Sequence, residues 1–185
     1  MNKAAFLDRD GVINRKMPEG RYVTRWDEMH FLPGVASAIA RLKKAGFLVI
    51  VVSNQRCVAK GLVTAAEVDA LHHRMCVELT AAGAIIDAVY YCPHEMTPPC
   101  NCRKPAPGML LSAAREHGID LVESWMIGDS CNDVAAGKSA GCRTALLVET
   151  SSTADCAPDL VAKSLFVATE TILRSEELSP IDGRR

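Results

Sequence analysis

Ala4-Ala5-Phe6-Leu7-Asp8-Arg9-Asp10-Gly11-Val12 is the stretch on which the reading of this chain turns. An apolar run ends in two carboxylates spaced i, i+2, and a glycine follows at once. Residues two apart on a strand point the same way, so Asp8 and Asp10 address one ligand where the strand stops. Such a pair suits a divalent cation, or a nucleophile beside a general acid/base. Taken alone, a strand running into an Asp-rich turn would look the same. An EF-hand loop would not, because its sixth position must be Gly and, counting from Asp8, that position is Ile13.

Three later segments extend the pattern. Val49-Ile50-Val51-Val52-Ser53-Asn54-Gln55 is a second apolar run, ending on a hydroxyl residue. Arg103-Lys104-Pro105 places two cations before a proline able to open a helix. Trp125-Met126-Ile127-Gly128-Asp129-Ser130-Cys131-Asn132-Asp133 is a third run, closing on Gly-Asp with a second Asp four residues on. In an open α/β sheet, ligands bind beyond the carboxyl ends of the strands. Strands delivering Asp8 and Asp10, Ser53 and Asp129 to that edge, with Lys104 beside them, make a site for phosphate and magnesium.

Short apolar runs alternate with helical patterns along the chain, which predicts βαβ units and a parallel sheet. Strands are expected near 3–8, 47–53, 86–91, 124–128 and 143–148, with a weaker one near 164–168. Pro33 opens a helix running to Ala45, Thr64 and Glu67 form a capping box for one reaching Ala82, and Pro105 opens one ending at His117. Asp133 falls in the first turn of a further helix, where a carboxylate also favours the helix dipole. The length of 185 residues suits one domain over 1–178, followed by a polar tail, 179–185. Gly11 to Leu32 is long enough for a flap over the site but not for a folded cap.

Composition excludes several classes of function. Hydrophobic residues make up 49% of the chain and aromatics only 5%, so the core is built from Ala, Val, Leu and Ile. A net charge of −1 gives no field favouring nucleic acid or an anionic membrane. No apolar run approaches the ~20 residues of a membrane span, and Met1 to Asp8 lacks a signal peptide's long apolar region. A cytoplasmic, monomeric protein is expected, acting on a small phosphorylated metabolite.

Of the eight cysteines, Cys57, Cys76, Cys131, Cys142 and Cys156 are scattered and read as structural or incidental thiols. Cys131 stands out among them for lying two residues past Asp129. The other three sit in Cys92-x-His94-x5-Cys100-x-Cys102, which supplies a complete tetrahedral set for zinc. With all four positions filled by protein, that zinc would be structural. A disulfide or a redox-sensing cluster are the alternatives, and neither gives His94 a role. Cys102 directly precedes Arg103-Lys104, so a metal knot here would fix where those cations project.

In these residues the chain resembles the haloacid dehalogenase (HAD) superfamily of phosphohydrolases. Asp8-Arg-Asp10-Gly11, Ser53-Asn54, Lys104 and Gly128-Asp129-x-x-x-Asp133 match its four motifs in order. Phe6 to Asn14, Ser53-Asn-Gln55 and Cys92 to Met109 are similar to the branch containing heptose bisphosphate phosphatases and histidinol-phosphate phosphatase domains. The resemblance spans roughly residues 3–150 and implies a Rossmann-like core without a large cap domain. It implies Asp8 as nucleophile forming an aspartyl phosphate, and Asp10 as general acid/base. Magnesium would be held by Asp8, the Asp10 main-chain carbonyl and Asp129.

Ser53, Lys104 and Asn54 would hold the phosphoryl oxygens, and Asp133 would orient Lys104 or a metal-bound water. Arg103 resembles the family's substrate-recognition residue. Ser130 stands where a close relative often carries Lys, and Arg56-Cys57 replaces small residues after the Asn-Gln pair. Arg9, Lys16, Asn54, Gln55, Arg56 and Arg103 are therefore the candidate substrate contacts, with Arg15, Arg21 and Lys60 near the same rim. A cationic rim fits a second phosphate, so a heptose bisphosphate is the first expectation for substrate. Histidinol phosphate or another small phosphomonoester is the alternative. A non-catalytic zinc-stabilised binding domain is a remote third, since such a module needs no acid/base pair.

Overall fold

The computed structural model describes residues 1–148 and 156–178. Its apolar runs become β1 (Lys3–Leu7), β2 (Phe47–Asn54), β3 (Ala88–Cys92), β4 (Trp125–Gly128), β5 (Arg143–Leu147) and β6 (Leu160–Ala162). Between and after them lie α1 (Val35–Lys44), α2 (Ala65–Ala81), α3 (Gly108–His117), α4 (Cys131–Ala140) and α5 (Leu165–Leu178). The strands form one parallel sheet in the order β3-β2-β1-β4-β5-β6.

Strand alternation sorts the core into two layers. Ala5 and Leu7 of β1 and Val49 and Val51 of β2 pack on Ile39 of α1, Met75 of α2 and Ile172 of α5. Ala4, Phe6, Ile50 and Val52 pack on the other face against Leu110 of α3 and Ala136 of α4. With both faces covered the strands read as near-continuous apolar runs, and each large side chain so buried contributes about 1.5–3 kcal/mol.

The chain runs outward from β1 through β2 to β3, then returns to place β4 on the other side of β1. That reversal opens a crevice above the ends of β1 and β4, where a doubly wound sheet binds ligands. Among the described residues, the connection from β1 to α1 holds only a short 3-10 turn, Trp26–Glu28. Residues 16–23 lie against the crevice as a flap, with no folded cap layer in that connection.

The capping box forms as expected. Thr64 Oγ1 accepts from the Glu67 N–H at 3.2 Å, and the Glu67 carboxylate accepts from the Thr64 N–H at 2.7 Å. Three boundaries differ from the sequence reading. The first helix starts at Val35 behind Gly34, leaving Pro33 outside. The helix expected from Pro105 starts at Gly108, because the Gly108 N–H is drawn to the Asn101 carbonyl at 3.0 Å and the preceding residues stay in a loop.

Residues 164–168, read as a weak strand, begin α5 instead, and the last strand lies earlier at Leu160–Ala162. Leu165, Ala168, Thr169 and Ile172 are buried at helical spacing, and the Ser164 hydroxyl accepts from the Val167 N–H at 3.3 Å. Helical period and cap override the short apolar run Leu165-Phe166-Val167.

Cys131 and Cys156, read as structural or incidental thiols, are joined in a disulfide, with Cα atoms 5.5 Å apart and a sequence separation of 25. Sequence spacing does not reveal that the start of α4 and the approach to β6 share one corner. No helix among the described residues is long and apolar enough to cross a membrane.

Candidate active site

Beyond Leu7 the backbone winds around one carbonyl. The oxygen of Arg9 accepts from the N–H groups of Ile13 at 2.9 Å and Asn14 at 3.0 Å. Gly11 is required in this turn on two counts. Its φ is +93°, and a Cβ would lie 2.3 Å from Oδ2 of Asp129, so only glycine lets the backbone approach that carboxylate.

Lys104 reaches the crevice from the loop before α3. Asn54 clamps its backbone, donating from Nδ2 to the Lys104 carbonyl at 3.0 Å and accepting the Lys104 N–H at Oδ1 at 3.1 Å. The buried ammonium then finds an acceptor for each of its three protons. Asp8 Oδ1 lies at 2.7 Å, the Val52 carbonyl at 2.8 Å and Asp133 Oδ1 at 2.6 Å. The second oxygen of Asp133 accepts from the Ser130 N–H at 3.1 Å and its hydroxyl at 2.6 Å, closing a capping box on α4. Asp133 thus caps α4 with one oxygen and pairs with the lysine through the other. Ser130 lines the cavity and turns its hydroxyl onto Asp133.

Asp8 and Asp10 sit two residues apart in opposite electrostatic settings. Burial pushes the Asp8 carboxyl up to about 7, with the Lys104 charge opposing and the Asp133 and Asp10 charges adding to the rise. Burial also works to raise Asp10, but the Arg9 charge and hydrogen bonds from Asn14, Arg9 and Gln55 reverse it and hold the carboxyl below the usual range. Lys104 loses to burial and gains more from Asp8 and Asp133, so it stays protonated.

Oxygens of Asp8, Asp129 and Asp133 all lie within 4.8 Å of one another. An all-oxygen donor set of this size fits a hard divalent cation. Burial lifts the Asp129 carboxyl even with Lys16 Nζ 2.6 Å from Oδ2, the imbalance a cation here would relieve. Lys104 already takes the inner oxygen of Asp133, so Asp8 and Asp129, with the adjoining backbone at Asp10–Gly11, are the residues suited to hold it.

A cavity of about 310 Å³ opens over this corner. Asp8, Asp10, Ser53, Asn54, Lys104, Asp129 and Asp133 line it, as do Lys16, Arg21 and Arg103 from the rim. Ser53 Oγ accepts from Gln55 Nε2 at 2.8 Å, which leaves the hydroxyl proton to donate into the cavity. One guanidinium nitrogen of Arg103, Nη1, is buried with no protein partner among the described residues. Tyr22 and Asn132 also line the space and carried no sequence signal.

Three residues expected to meet substrate do not line this cavity. Arg9 is fully buried and folded back on Asp10, with Nη2 2.9 Å from Oδ2. Gln55 is 1% exposed and spends its amide on Ser53 and, at 3.1 Å, on Asp10. Arg56 pairs with Glu95 in the cysteine loop. Arg15 lines a neighbouring opening beyond Lys16, and Lys60 stacks over the Tyr22 ring at 5.5 Å. Asn14, whose Nδ2 donates to Asp10 at 2.9 Å, was present in the first motif but unassigned.

The cysteine loop also closes as its spacing suggests. The Sγ atoms of Cys92, Cys100 and Cys102 are 3.2–3.5 Å apart, and His94 Nδ1 lies 3.6 Å from Cys92 and 3.2 Å from Cys102. These separations are too long for a disulfide bond of about 2.05 Å. They are near the edges of a tetrahedron around an ion with bonds of about 2.0–2.3 Å, so the cluster fits a zinc site.

A lysine held between the carboxylate that ends one strand and a carboxylate in the first turn of the helix after another, at the switch point, is the arrangement of a HAD-type phosphatase. The profile of the HAD-hydrolase-like family matches residues 101–168. The chain is 43% identical over 145 residues to a D-glycero-beta-D-manno-heptose-1,7-bisphosphate 7-phosphatase of Rhodopseudomonas palustris, covering 75% of this chain and 79% of that protein. The namesake enzyme of Escherichia coli K12 is 38% identical over 185 residues, covering 94% of this chain and 95% of its own. Among solved structures, D,D-heptose 1,7-bisphosphate phosphatase of B. bronchiseptica, complexed with magnesium and phosphate, superimposes with a TM-score of 0.83 at 35% identity. That match covers 94% of this chain and 99% of the other. This chain belongs to the D-glycero-D-manno-heptose-1,7-bisphosphate 7-phosphatase family.

Proposed function

We propose that the protein removes the 7-phosphate from D-glycero-D-manno-heptose 1,7-bisphosphate, the reaction for which its relatives are named. The observation that carries this reading is Lys104 bridging Asp8 and Asp133 under a cavity whose rim holds Lys16, Arg21 and Arg103. Asp8 and Asp129 would hold magnesium with the Asp10 main-chain carbonyl. When bound, magnesium screens carboxylate–phosphate repulsion of about 1–4 kcal/mol per charge pair at ~4 Å.

Asp8 attacks phosphorus in line while the P–O bond to the sugar breaks, giving an aspartyl phosphate and a sugar oxygen protonated through Asp10. In the second half, Asp10 takes a proton from water as that water attacks phosphorus, and Asp8 leaves as the carboxylate. The donors around Asp10 favour its carboxylate form, so the proton it passes to the sugar oxygen is one it first takes up from solvent, and the carboxylate left behind is the base of the second half. Ser53 and Lys104 hold the phosphoryl oxygens as charge spreads over them. Asn54 acts at one remove, through the Lys104 backbone. Arg103, with an unspent N–H at the cavity wall, takes the distal phosphate.

The cysteine loop binds structural zinc and fixes the approach of Arg103 and Lys104. Residues 1–178 act as one catalytic unit, working as a monomer, with selectivity lodged in the flap. A phosphate-release panel with magnesium tests the reading. The heptose bisphosphate should give the highest kcat/KM, above sugar monophosphates and histidinol phosphate. Preference for histidinol phosphate would overturn the substrate assignment.

A further inference from the structure

The buried imidazole of His72 has no part in the reaction as derived above. It sits on the inward face of α2 with Val68, Leu71, Met75 and Leu79, 4% exposed, its ring edge-on to Tyr91 at 5.4 Å. Its Nε2 lies 3.1 Å from Nη1 of Arg9. Arginine offers only donors, so Nε2 must accept and the ring proton must be on Nδ1. His72 lines a shallow opening with Asp69, His73, Cys76 and Tyr91, and its Nδ1 is buried with no protein partner among the described residues.

Arg9 is the link to the chemistry. Its Nη2 reaches both oxygens of Asp10, at 3.1 and 2.9 Å, and its Nε reaches Oδ1 at 3.3 Å. The Val23 carbonyl, at 3.4 Å from Nη2, and the His72 ring are the groups that steady the guanidinium away from Asp10. Without an acceptor at position 72, Nη1 would be a buried donor with nothing to bond, which is unfavourable because its bonds to water are lost and not replaced. The guanidinium would swing to relieve that, taking the Asp10 carboxylate with it.

We propose that His72 is a positioning residue for Asp10, acting through Arg9 as a neutral hydrogen-bond acceptor. The imidazole suits the task because burial and the neighbouring Arg9 charge hold its pKa down to about 3. A histidine that took a proton would lose its acceptor and set two cations together. The proposal rests on the reading of Asp10 as the base that activates water.

The test uses p-nitrophenyl phosphate, whose leaving group departs without a proton, so that hydrolysis of the aspartyl phosphate is isolated. His72→Leu should lower kcat about tenfold, since small misplacements of a catalytic group have effects of this order. KM should fall with kcat, leaving kcat/KM near the parent value, and phosphoenzyme should accumulate in acid-quenched samples. His72→Gln, which presents a carbonyl oxygen to Arg9, should recover kcat to within about threefold of the parent. A merely structural fault would lower kcat and kcat/KM together and trap no phosphoenzyme; that result overturns the proposal, as does equal behaviour of the Leu and Gln variants. Should His72→Leu not fold, His72→Met against His72→Gln makes the same comparison. Asp10→Asn is the control for the underlying reading. If it traps phosphoenzyme and His72→Leu does not, His72 has no positioning role; if neither does, the base role of Asp10 fails and the proposal falls with it.

Discussion

The catalytic corner and the cysteine loop are neighbours in the fold but are balanced in opposite ways. The corner draws Asp8, Lys104, Asp129 and Asp133 from distant parts of the chain and crowds their carboxylates where water is scarce, so that Asp8 and Asp129 are both pushed upward. The loop gathers Cys92, His94, Cys100 and Cys102 from one short segment into a closed set of four donors. One cluster holds charge in a costly setting that a cation would relieve; the other has the donors to close around a single ion. Reactivity and rigidity are thus assigned to separate sites, joined by the step from Cys102 to Lys104.

The sharpest way to break this contrast is at Asp8. Asp8→Asn should lower turnover by at least about 10⁴-fold, as expected when a nucleophile is removed. The metal-free variant should unfold at a temperature no lower than the parent. A carboxyl raised to about 7 by burial is one whose charge weighs against the folded state at neutral pH. Steady-state kinetics and a thermal scan check both halves. A large fall in Tm would mean that the corner is structural as well as reactive.

The loop should fail in the reverse order. The purified protein should carry about one zinc per chain by elemental analysis, and Cys100→Ser or His94→Ala should lose it. A loss of roughly 3 kcal/mol lowers Tm by about 6–12 °C in a domain of this size, with activity falling afterwards as Arg103 and Lys104 lose their seat. Loss of activity with zinc content and Tm intact would place the loop in the chemistry itself.

Most of this contrast was legible in the sequence, and what was missed has physical causes. Carboxylates at strand ends and thiols at metal spacing are local patterns, so Asp8, Asp129, Lys104 and the loop ligands could be named without coordinates. Arg9, expected at the substrate, instead turns inward, because the turn beyond Leu7 folds its guanidinium back onto Asp10, a contact that its charge alone does not announce. His72 likewise falls in phase with Val68, Met75 and Leu79 on the buried face of α2. Nothing local announced that Asn54 would grip a backbone fifty positions away, or that Cys131 would meet Cys156. Those pairings are products of the tertiary fold.

Arg103 lies where the two regions meet, and its effect should be intermediate. Losing one charge-assisted contact costs about 1.5–3 kcal/mol, or roughly 10–150-fold in kcat/KM. Arg103→Ala should show that loss on the heptose bisphosphate and far less on p-nitrophenyl phosphate, which has no distal phosphate. Equal losses would assign the guanidinium to the transferred phosphoryl group.

The smallest effect concerns His72 and sharpens the comparison at its edge, where a buried group is kept neutral. Its pKa in the folded protein is about 3 against 6.5 for the free side chain, driven down by burial first and then by Arg9. Below pH 6.5 the unfolded chain takes up a proton that the folded protein refuses, so this contribution to stability is present above that pH and fades as pH falls toward 3. At pH 5.5 the loss amounts to about 1 kcal/mol relative to neutral pH. Asp8 titrates in the same window with the opposite sign, so the parent alone would mask it. The measurement is therefore the difference between the parent and His72→Gln in urea unfolding, taken from pH 7.5 to 5.5, in which the contribution of Asp8 cancels. That difference should move toward the variant by about 1 kcal/mol across the range. A difference that ignores pH would mean that His72 titrates normally in the folded state, and Arg9 would then need another acceptor to hold it against Asp10.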